Sequence, residues 1–467
     1  MRIVIFGTGN FYKKKEKKIK AEKEITIVAY LDNDTMSQGT LIDNITIISP
    51  SSVKSIQYEY IILMSVFAPA MYEQLIYIGV DKSKILYWGE FNARFLKAQR
   101  EYFRSNFCSK IYQKKILIVT IPINYDGGTM AAVYAAMCLQ SKNYKVEIVA
   151  EEGDDKLIHE INDYGIDVII YDIVPYIRYE YWIEEYDIII VNTFPMVRCA
   201  CELSKNKPVL WWLHEASIAY KTVLKQFYDN ISKQSMRQIN IYAVSNIAKQ
   251  NFNFYFPDRV NKILNYGIPD MYNINKIGKR NKIIFAVIGS VHELKAQDIL
   301  LKAINELESI EKTEFWIIGK VGKNPYSCKI MEMAKQNLKV KIKGLLTREE
   351  MYNIYSQIDV VVCTSKEETM SNAIVEGMMM KKVCITTENT GVASYIENGK
   401  SGFIVPVGDE KVLRNTIKWI IDNKDQIHKI GEKARIVYKK YFSMDVFGEK
   451  LEEAVEDTMT NWQDTEY

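Results

Sequence analysis

The sequence predicts an α/β protein made of successive Rossmann-like units, each a mostly parallel sheet layered with helices. Two observations predict it. Short β-branched runs alternate along the chain with stretches of roughly ten to fifteen residues that have helical period, the pattern of strand, crossover helix and parallel strand. The alternation also restarts twice on a fresh strand behind a basic residue, at Lys114-Lys115-Ile116-Leu117-Ile118-Val119 and at Lys282-Ile283-Ile284-Phe285-Ala286-Val287-Ile288-Gly289. A chain of 467 residues is too long for one compact core, and length alone suggests about three domains.

Composition narrows the function classes. The chain is 48% apolar and 25% charged, ordinary for a protein with sizeable cores. Lys and Arg total 61 against 58 Asp and Glu, a net charge of +3 that leaves no electrostatic footprint for nucleic acid. The basic run Lys13-Lys14-Lys15-Glu16-Lys17-Lys18 reads as a solvated helix face, with contact to anionic lipid as its alternative. Cysteines 108, 138, 199, 201, 328, 363 and 384 are odd in number and form no C-x-x-C pair, which fits a reducing cytoplasm and gives no metal-ligand spacing. Arg2-Ile3-Val4-Ile5-Phe6 opens the chain as a strand rather than a signal peptide, and no apolar run approaches a membrane span. The expected location is the cytoplasm, with the inner face of the membrane as a peripheral contact.

The first unit runs from strand Ile3–Phe6 through a Gly7-Thr8-Gly9 turn, a charged helix and strand Ile25–Tyr30 to Asp32-Asn33-Asp34. Gly7-x-Gly9 with Asp32 is a partial dinucleotide fingerprint, but Tyr12 stands where the third glycine belongs. The simpler reading is a tight strand-to-helix turn. Asp32-x-Asp34 also has the form of a metal-binding D-x-D motif, yet its place after a second strand suits a ribose or turn role better.

The third unit carries the most chemistry. Strand Ile358–Cys363 runs into Thr364-Ser365-Lys366-Glu367-Glu368-Thr369-Met370-Ser371, followed by a helix Asn372–Met380 and strand Val383–Thr386. Ligands of an open parallel sheet bind beyond the carboxyl ends of its strands, where this loop falls. Its peptide N–H groups and the positive end of the next helix can receive a diphosphate or sugar oxygens without a metal. An ionised carboxylate accepts two hydrogen bonds from a vicinal diol, so Glu368 and Glu376 together suit a ligand with two sets of hydroxyls, as a sugar nucleotide has. Alternatively Glu376 is a first-turn carboxylate favoured by the helix dipole.

Here the sequence resembles glycosyltransferase family 4, the retaining GT-B family, in its bacterial surface-glycan form. Ser365-Lys366-Glu367-Glu368, seven residues, then Glu376-Gly377 matches the family's carboxylate pair. Ile288-Gly289-Ser290 with Lys295 ahead of a helix Gln297–Leu307 resembles its glycine loop and phosphate lysine. Trp316-Ile317-Ile318-Gly319 and Ile342-Lys343-Gly344 resemble the strand ends framing the base. Thr387-Glu388-Asn389-Thr390-Gly391-Val392 resembles the loop over the sugar, and Gly399-x-x-Gly402-Phe403 and Phe442-Ser443-Met444 follow in the family's order. The family commonly has an arginine where Ser290 stands, and its loss would weaken phosphate binding by roughly 1.5 to 3 kcal/mol. His292 or the Ser290 hydroxyl could stand in.

The resemblance implies a GT-B fold of two facing Rossmann-like domains plus an amino-terminal accessory one. The expected organisation is 1–105 accessory, 114–265 acceptor domain, 266–435 donor domain and 436–467 a helix crossing back. It implies a donor site of Gly289, Ser290, Lys295, Gly319, Glu368, Thr369, Met370, Ser371, Asn372 and Glu376, with Glu368 on the transferred sugar and Glu376 on the ribose. Across the cleft, the paired glycines of Ile121-Pro122-Ile123-Asn124-Tyr125-Asp126-Gly127-Gly128-Thr129 permit close backbone approach, and the resemblance makes Gly127, Gly128 and Thr129 an acceptor or phosphate loop. Their plain alternative is a helix-entry turn. His214, after strand Pro208–Leu213, matches the family's cleft histidine, and Val244-Ser245-Asn246 and Asn265-Tyr266-Gly267-Ile268-Pro269 match landmarks before the crossing.

The expected reaction is metal- and cofactor-independent transfer from a nucleoside-diphosphate sugar, UDP-linked by expectation, to a glycan, lipid-linked or protein hydroxyl. Lys295 and helix dipoles would stabilise the leaving diphosphate, His214 would orient sugar or acceptor, and His214, Glu368 and Lys295 form the catalytic set. The alternatives are an inert transferase-like partner subunit and a GT-B sugar-nucleotide epimerase. The 1–105 unit is the expected place for an oligomer contact.

Overall fold

The computed structural model describes residues 1–106, 112–227, 236–272, 282–307 and 312–462; Cys108 and residues 276–281 of the charged linker lie outside the described residues. Three sheets follow one another along the chain. The first contains β1 (Arg2–Phe6), β2 (Thr26–Leu31), β3 (Leu41–Ile42), β4 (Ile45–Ile48), β5 (Tyr60–Leu63) and β6 (Ile85–Tyr87), in the order β3-β4-β2-β1-β5-β6. All pairs in it are parallel except the β3–β4 hairpin.

The second contains β7 (Arg100–Phe103), β8 (Lys115–Val119), β9 (Lys145–Ala150), β10 (Asp167–Tyr171), β11 (Ile188–Asn192), β12 (Val209–Leu213), β13 (Ile239–Ala243) and β14 (Lys262–Ile263). Its order is β14-β13-β12-β11-β8-β9-β10-β7. The third contains β15 (Ile283–Ile288), β16 (Thr313–Ile318), β17 (Val340–Gly344), β18 (Val360–Cys363), β19 (Val383–Thr387) and β20 (Phe403–Val405), all parallel, in the order β17-β16-β15-β18-β19-β20. Helices cover both faces of central strands such as β11, whose residues are all buried. That is why Ile188-Ile189-Ile190-Val191 reads as an unbroken apolar run instead of an alternation.

Two expected boundaries move. Arg100–Phe103, placed in the first unit at the sequence level, is β7 and pairs antiparallel with β10 at the edge of the second sheet. Charge anchors it there. Arg104 bonds Glu147 and Asp167 at 3.2 and 3.0 Å, Ser105 donates to Asp167, and Arg100 lies over the Tyr171 and Trp182 rings. Likewise, a cut at 435 falls inside the helix Ile427–Tyr441, and the chain turns only at Phe442 and Ser443.

The basic run is neither free nor wholly solvated. Lys15 pairs with Glu152 at 3.1 Å, and Lys18 with Asp172 at 2.5 Å and Asn92 at 2.6 Å. It thus fastens the helix Asn10–Ala21 to the second unit, leaving Lys13, Lys14 and Lys17 exposed. A second contact lies where the helix Ala68–Ile78 packs on the helix Ser217–Phe227. Among the described residues no helix is long and apolar enough to cross a membrane.

Two segments join the second and third units. Ile268 N–H donates to Phe442 O at 3.0 Å, Asn265 to Tyr441 O at 2.6 Å, and Tyr438 to Ile268 O at 2.9 Å. The last helix, Met444–Asn461, then packs on the helix Gly127–Ser141 and on β12, with Lys142 bonding Glu452 and Lys262 bonding Asp457. At Gly267 the two segments touch so closely that a Cβ would stand 2.6 Å from Ser443 O and 2.9 Å from the Phe447 Cβ. Backbone cannot retreat as a side chain can. Gly267→Ala is therefore expected to lower stability by about 1–3 kcal/mol, seen as a lower thermal midpoint; an unchanged midpoint would contradict this packing.

Candidate active site between the second and third sheets

β18 ends at Cys363, and the loop beyond it is tied down before it reaches the cleft. Thr364 donates to Lys295 O at 2.8 Å, Lys366 N–H to Leu294 O at 2.8 Å, and Thr387 to Ser365 O at 2.7 Å. These bonds fix Glu368 against the segment carrying Lys295. Lys295 Nζ donates to Glu368 Oε1 at 2.6 Å, while Ser365 Oγ donates to Oε2 at 2.9 Å. Burial works against the Lys295 charge, but the Glu368 carboxylate outweighs it and raises the lysine pKa.

The Lys295 stem lies along Gly289, where a Cβ would stand 3.4 Å from Lys295 Cε. At Gly319 a Cβ would stand 2.1 Å from Gly289 O, so the ends of β15 and β16 meet there with no room for a side chain. Ser290 is exposed. Burial and the neighbouring Lys295 charge lower the pKa of His292 despite Glu368, so His292 does not restore the positive charge of the missing arginine.

Glu376 belongs to the helix Asn372–Met379 and has partners of its own. Its Oε2 accepts from the Tyr355 hydroxyl at 2.7 Å. Burial raises its pKa, against the Tyr355 hydrogen bond and the Arg348 charge, which favour ionisation. Arg348 also bonds the Tyr134 hydroxyl of the opposite unit at 2.5 Å. Tyr355 and Arg348 escaped the sequence reading because they lie on a helix whose spacing shows only ordinary amphipathic period.

The second unit meets this loop directly. Thr369 donates to His214 O at 2.6 Å, and Tyr266 to Asn372 Oδ1 at 2.5 Å. A Cβ at Gly127 would stand 3.6 Å from Asn372 Nδ2, so the amino-terminal ends of the Gly127 and Asn372 helices face each other across the cleft. Met370 and Ser371 are buried behind them. Gly128 O accepts from Asn192 at 3.0 Å. Thr129 does not join the cleft: Asp126 caps its N–H and its hydroxyl donates to Pro122 O at 3.1 Å. Its role is to start the helix.

His214 extends from the end of β12 with its ring 4.5 Å from the Trp212 ring and 6.0 Å from the Tyr266 ring, centroid to centroid. Its Nε2 is buried and has no hydrogen-bond partner among the described residues. Burial pushes its pKa down to about 3 and the neighbouring Glu215 carboxyl up to about 7. The ring is neutral, so it can orient a ligand as hydrogen-bond donor or acceptor but offers no cation.

Glu367 has a part that spacing did not reveal. It accepts from Ser217 N–H at 2.7 Å, Ser217 Oγ at 2.5 Å and Asn251 at 2.6 Å, all on the opposite unit. It therefore caps the Ser217 helix from across the cleft. Beside it, Glu368 N–H donates to Asn389 O and Gly391 N–H to Glu368 O, bringing the Thr387–Val392 loop alongside. A Cβ at Gly391 would stand 1.8 Å from Thr369 O and 2.6 Å from the Ser245 Cβ, so glycine sets how tightly the units close. In the first unit, Asp34 caps the turn at Met36 and Ser37, which accounts for that half of the D-x-D pattern.

Residues 272–437 match the family described as Glycosyl transferases group 1, and residues 1–86 match C2185-like, N-terminal. The chain is 23% identical over 266 residues to the capsular polysaccharide biosynthesis glycosyltransferase CapM of Staphylococcus aureus, covering 47% of this chain and 70% of that protein. It is 22% identical over 177 residues to alpha-D-kanosaminyltransferase of Streptomyces kanamyceticus, covering 38% of this chain and 46% of that one. The fold resembles Anabaena Alr3699/HepE, solved in complex with UDP and glucose, with TM-score 0.61 and 16% identity over 74% of this chain and 100% of that one. These observations define the class: a glycosyltransferase of GT-B fold. More particularly, the group 1 match falls on the third unit, and the C2185-like match falls on the unit that precedes the two facing ones.

The His214 titration has a sign that can be tested. An unfolded imidazole takes up its proton near 6.5 and the folded one only near 3, so the unfolded state binds more protons in that window and stability falls as pH drops through it. His214→Asn should lose less stability than the wild type between pH 6.5 and about 5. Equal losses in thermal midpoint would refute the neutral, buried ring.

Proposed function

We propose that the chain transfers a sugar from a UDP-sugar to a hydroxyl of a growing surface glycan, with retention of configuration and without a metal. The observation that carries this reading is the Lys295–Glu368 pair, 2.6 Å apart, beside two facing helix amino termini. Together they set a fixed cation and two positive helix ends around a place for a diphosphate. Capsular and UDP-bound relatives support the acceptor and donor classes.

In this mechanism the diphosphate takes the Lys295 ammonium, which frees Glu368 Oε1 to accept from a hydroxyl of the transferred sugar. Glu376 accepts from the ribose diol. Neutral His214 orients the sugar or the incoming acceptor. The acceptor oxygen attacks the anomeric carbon from the face the diphosphate is leaving. The bond from that carbon to the phosphate oxygen breaks, and the acceptor proton passes to the departing phosphate. No side chain need become covalently bound.

The acceptor is a glycan, or a lipid-linked or protein hydroxyl, and the enzyme works at the cytoplasmic face where such chains are extended. Exposed Ser290 and uncharged His292 favour a second reading, an inert partner subunit. Release of free nucleoside diphosphate from a panel of sugar nucleotides separates the two. Release from at least one donor is expected; none from any would sink the transferase reading. Glu376→Ala is expected to raise the donor KM. Glu368→Ala should lower kcat, and Lys295→Ala should lower it by roughly ten- to a hundredfold. Wild-type kinetics in all three would refute the placement. Activity should survive a chelator, and its loss would show that a metal is needed.

A further inference from the structure

The first unit holds a cavity of about 520 Å³ that shares no residue with the transferase cleft. Its walls include Gly9, Asp32, Met64, Phe67, Met71 and Gln74. They come from the carboxyl ends of β1, β2 and β5 and from the helix Ala68–Ile78. In the order β3-β4-β2-β1-β5-β6 the chain leaves β1 toward β2 on one side and later fills β5 on the other. That reversal opens the crevice in which doubly wound sheets take their ligands. The volume is within the roughly 300–1,000 Å³ of small-molecule sites.

The lining has three kinds of chemistry. At Gly7, with φ +99°, a Cβ would stand 2.8 Å from Met64 O, so the turn is pressed onto the end of β5. At Gly9 a Cβ would meet nothing within 4 Å, so the space beside the turn is open. The helix Asn10–Ala21 begins there with no capping side chain and no acidic residue in its first turn, leaving its first N–H groups and positive end for an anion.

Asp32, ending β2, accepts from Thr8 N–H and Oγ1 on Oδ2 at 2.8 and 2.6 Å, and from Asp34 N–H on Oδ1 at 3.0 Å. Asn33 N–H also favours the ionised form, so the carboxylate is held charged at the cavity wall, where it can accept from a ligand hydroxyl. Opposite, Met64, Met71 and the exposed Phe67 give an apolar wall suited to a planar ring. Asn33 and Gln74 bond each other through both amides at 2.9 Å, and each keeps a further N–H to donate.

We propose that this cavity binds a nucleoside monophosphate, with its phosphate on the uncapped helix, a ribose hydroxyl on Asp32 and its base along the Met64, Met71 and Phe67 wall. A dinucleotide fits less well. Tyr12, in place of the third glycine, is buried between helix and sheet with its hydroxyl 2.8 Å from that of Tyr30. It occupies the space whose closure normally seats a pyrophosphate.

The test is calorimetric titration of the full chain with uridine 5′-monophosphate and adenosine 5′-monophosphate, with uridine and inorganic phosphate as controls. At least one monophosphate should bind, and bind equally well to the donor-site variant Lys295→Ala. Gly9→Leu and Ala70→Trp, which fill the cavity, should weaken that binding by about tenfold or more. Ala70 is exposed, so Ala70→Trp decides the matter if Gly9→Leu fails to fold. The proposal is overturned if neither monophosphate binds the wild type, if both filling variants bind as it does, or if Lys295→Ala abolishes binding. Uridine binding as tightly as its monophosphate would overturn the phosphate seat. Because Lys295→Ala disables only the donor site, failure here leaves the transferase reading untouched.

Discussion

Glu367 and Glu368 send consecutive carboxylates in different directions, and the arrangement of the cleft depends on this divergence. Glu368 turns into its own unit and neutralises Lys295, while Glu367 reaches across and caps the Ser217 helix. A contact within the third unit and a contact between units are therefore one peptide bond apart. Movement of the loop toward a ligand on one side must be felt at Ser217 and Asn251 on the other. The Ser217 helix in turn bears on the helix Ala68–Ile78, so the first unit is in mechanical contact with the same cleft.

Burial decides what the site's ionisable groups can do. His214 projects from an apolar strand beside two aromatic rings and is held neutral, whereas Lys295, whose charge burial disfavours, has its pKa raised because a carboxylate lies against it. The difference is a partner: a desolvated charge persists only where an opposite charge or hydrogen bonds replace water. The cleft therefore holds a cation paired with a carboxylate and, on its other side, a neutral ring.

Much of the fold was legible because parallel strands buried on both faces leave continuous β-branched runs, and crossover helices leave a distinct period between them. The restarts at Lys115 and Ile283 could be read for that reason. Arg100–Phe103 could not: it is short, polar and held at an edge by Arg104 and Ser105, so its sheet is chosen by charges distant in sequence. Thr129 shows the same limit within the site. Its position after two glycines marks a cleft loop, but whether its hydroxyl faces ligand or chain depends on the path of Pro122.

By itself the sequence determined the α/β class, the place of the loop after β18, and the spacing that puts Glu368 and Glu376 on that loop and its helix. These follow from local rules of strand, turn and helix, which act over a few residues. Only the tertiary structure decided that Lys295 is paired with Glu368, that Glu376 leans on Tyr355, that Glu367 spans the units, and that Lys15 and Lys18 dock the first unit instead of facing solvent. Each is an electrostatic or hydrogen-bonded contact between segments tens to hundreds of residues apart. Such contacts depend on distances of a few ångströms that no spacing in the chain records.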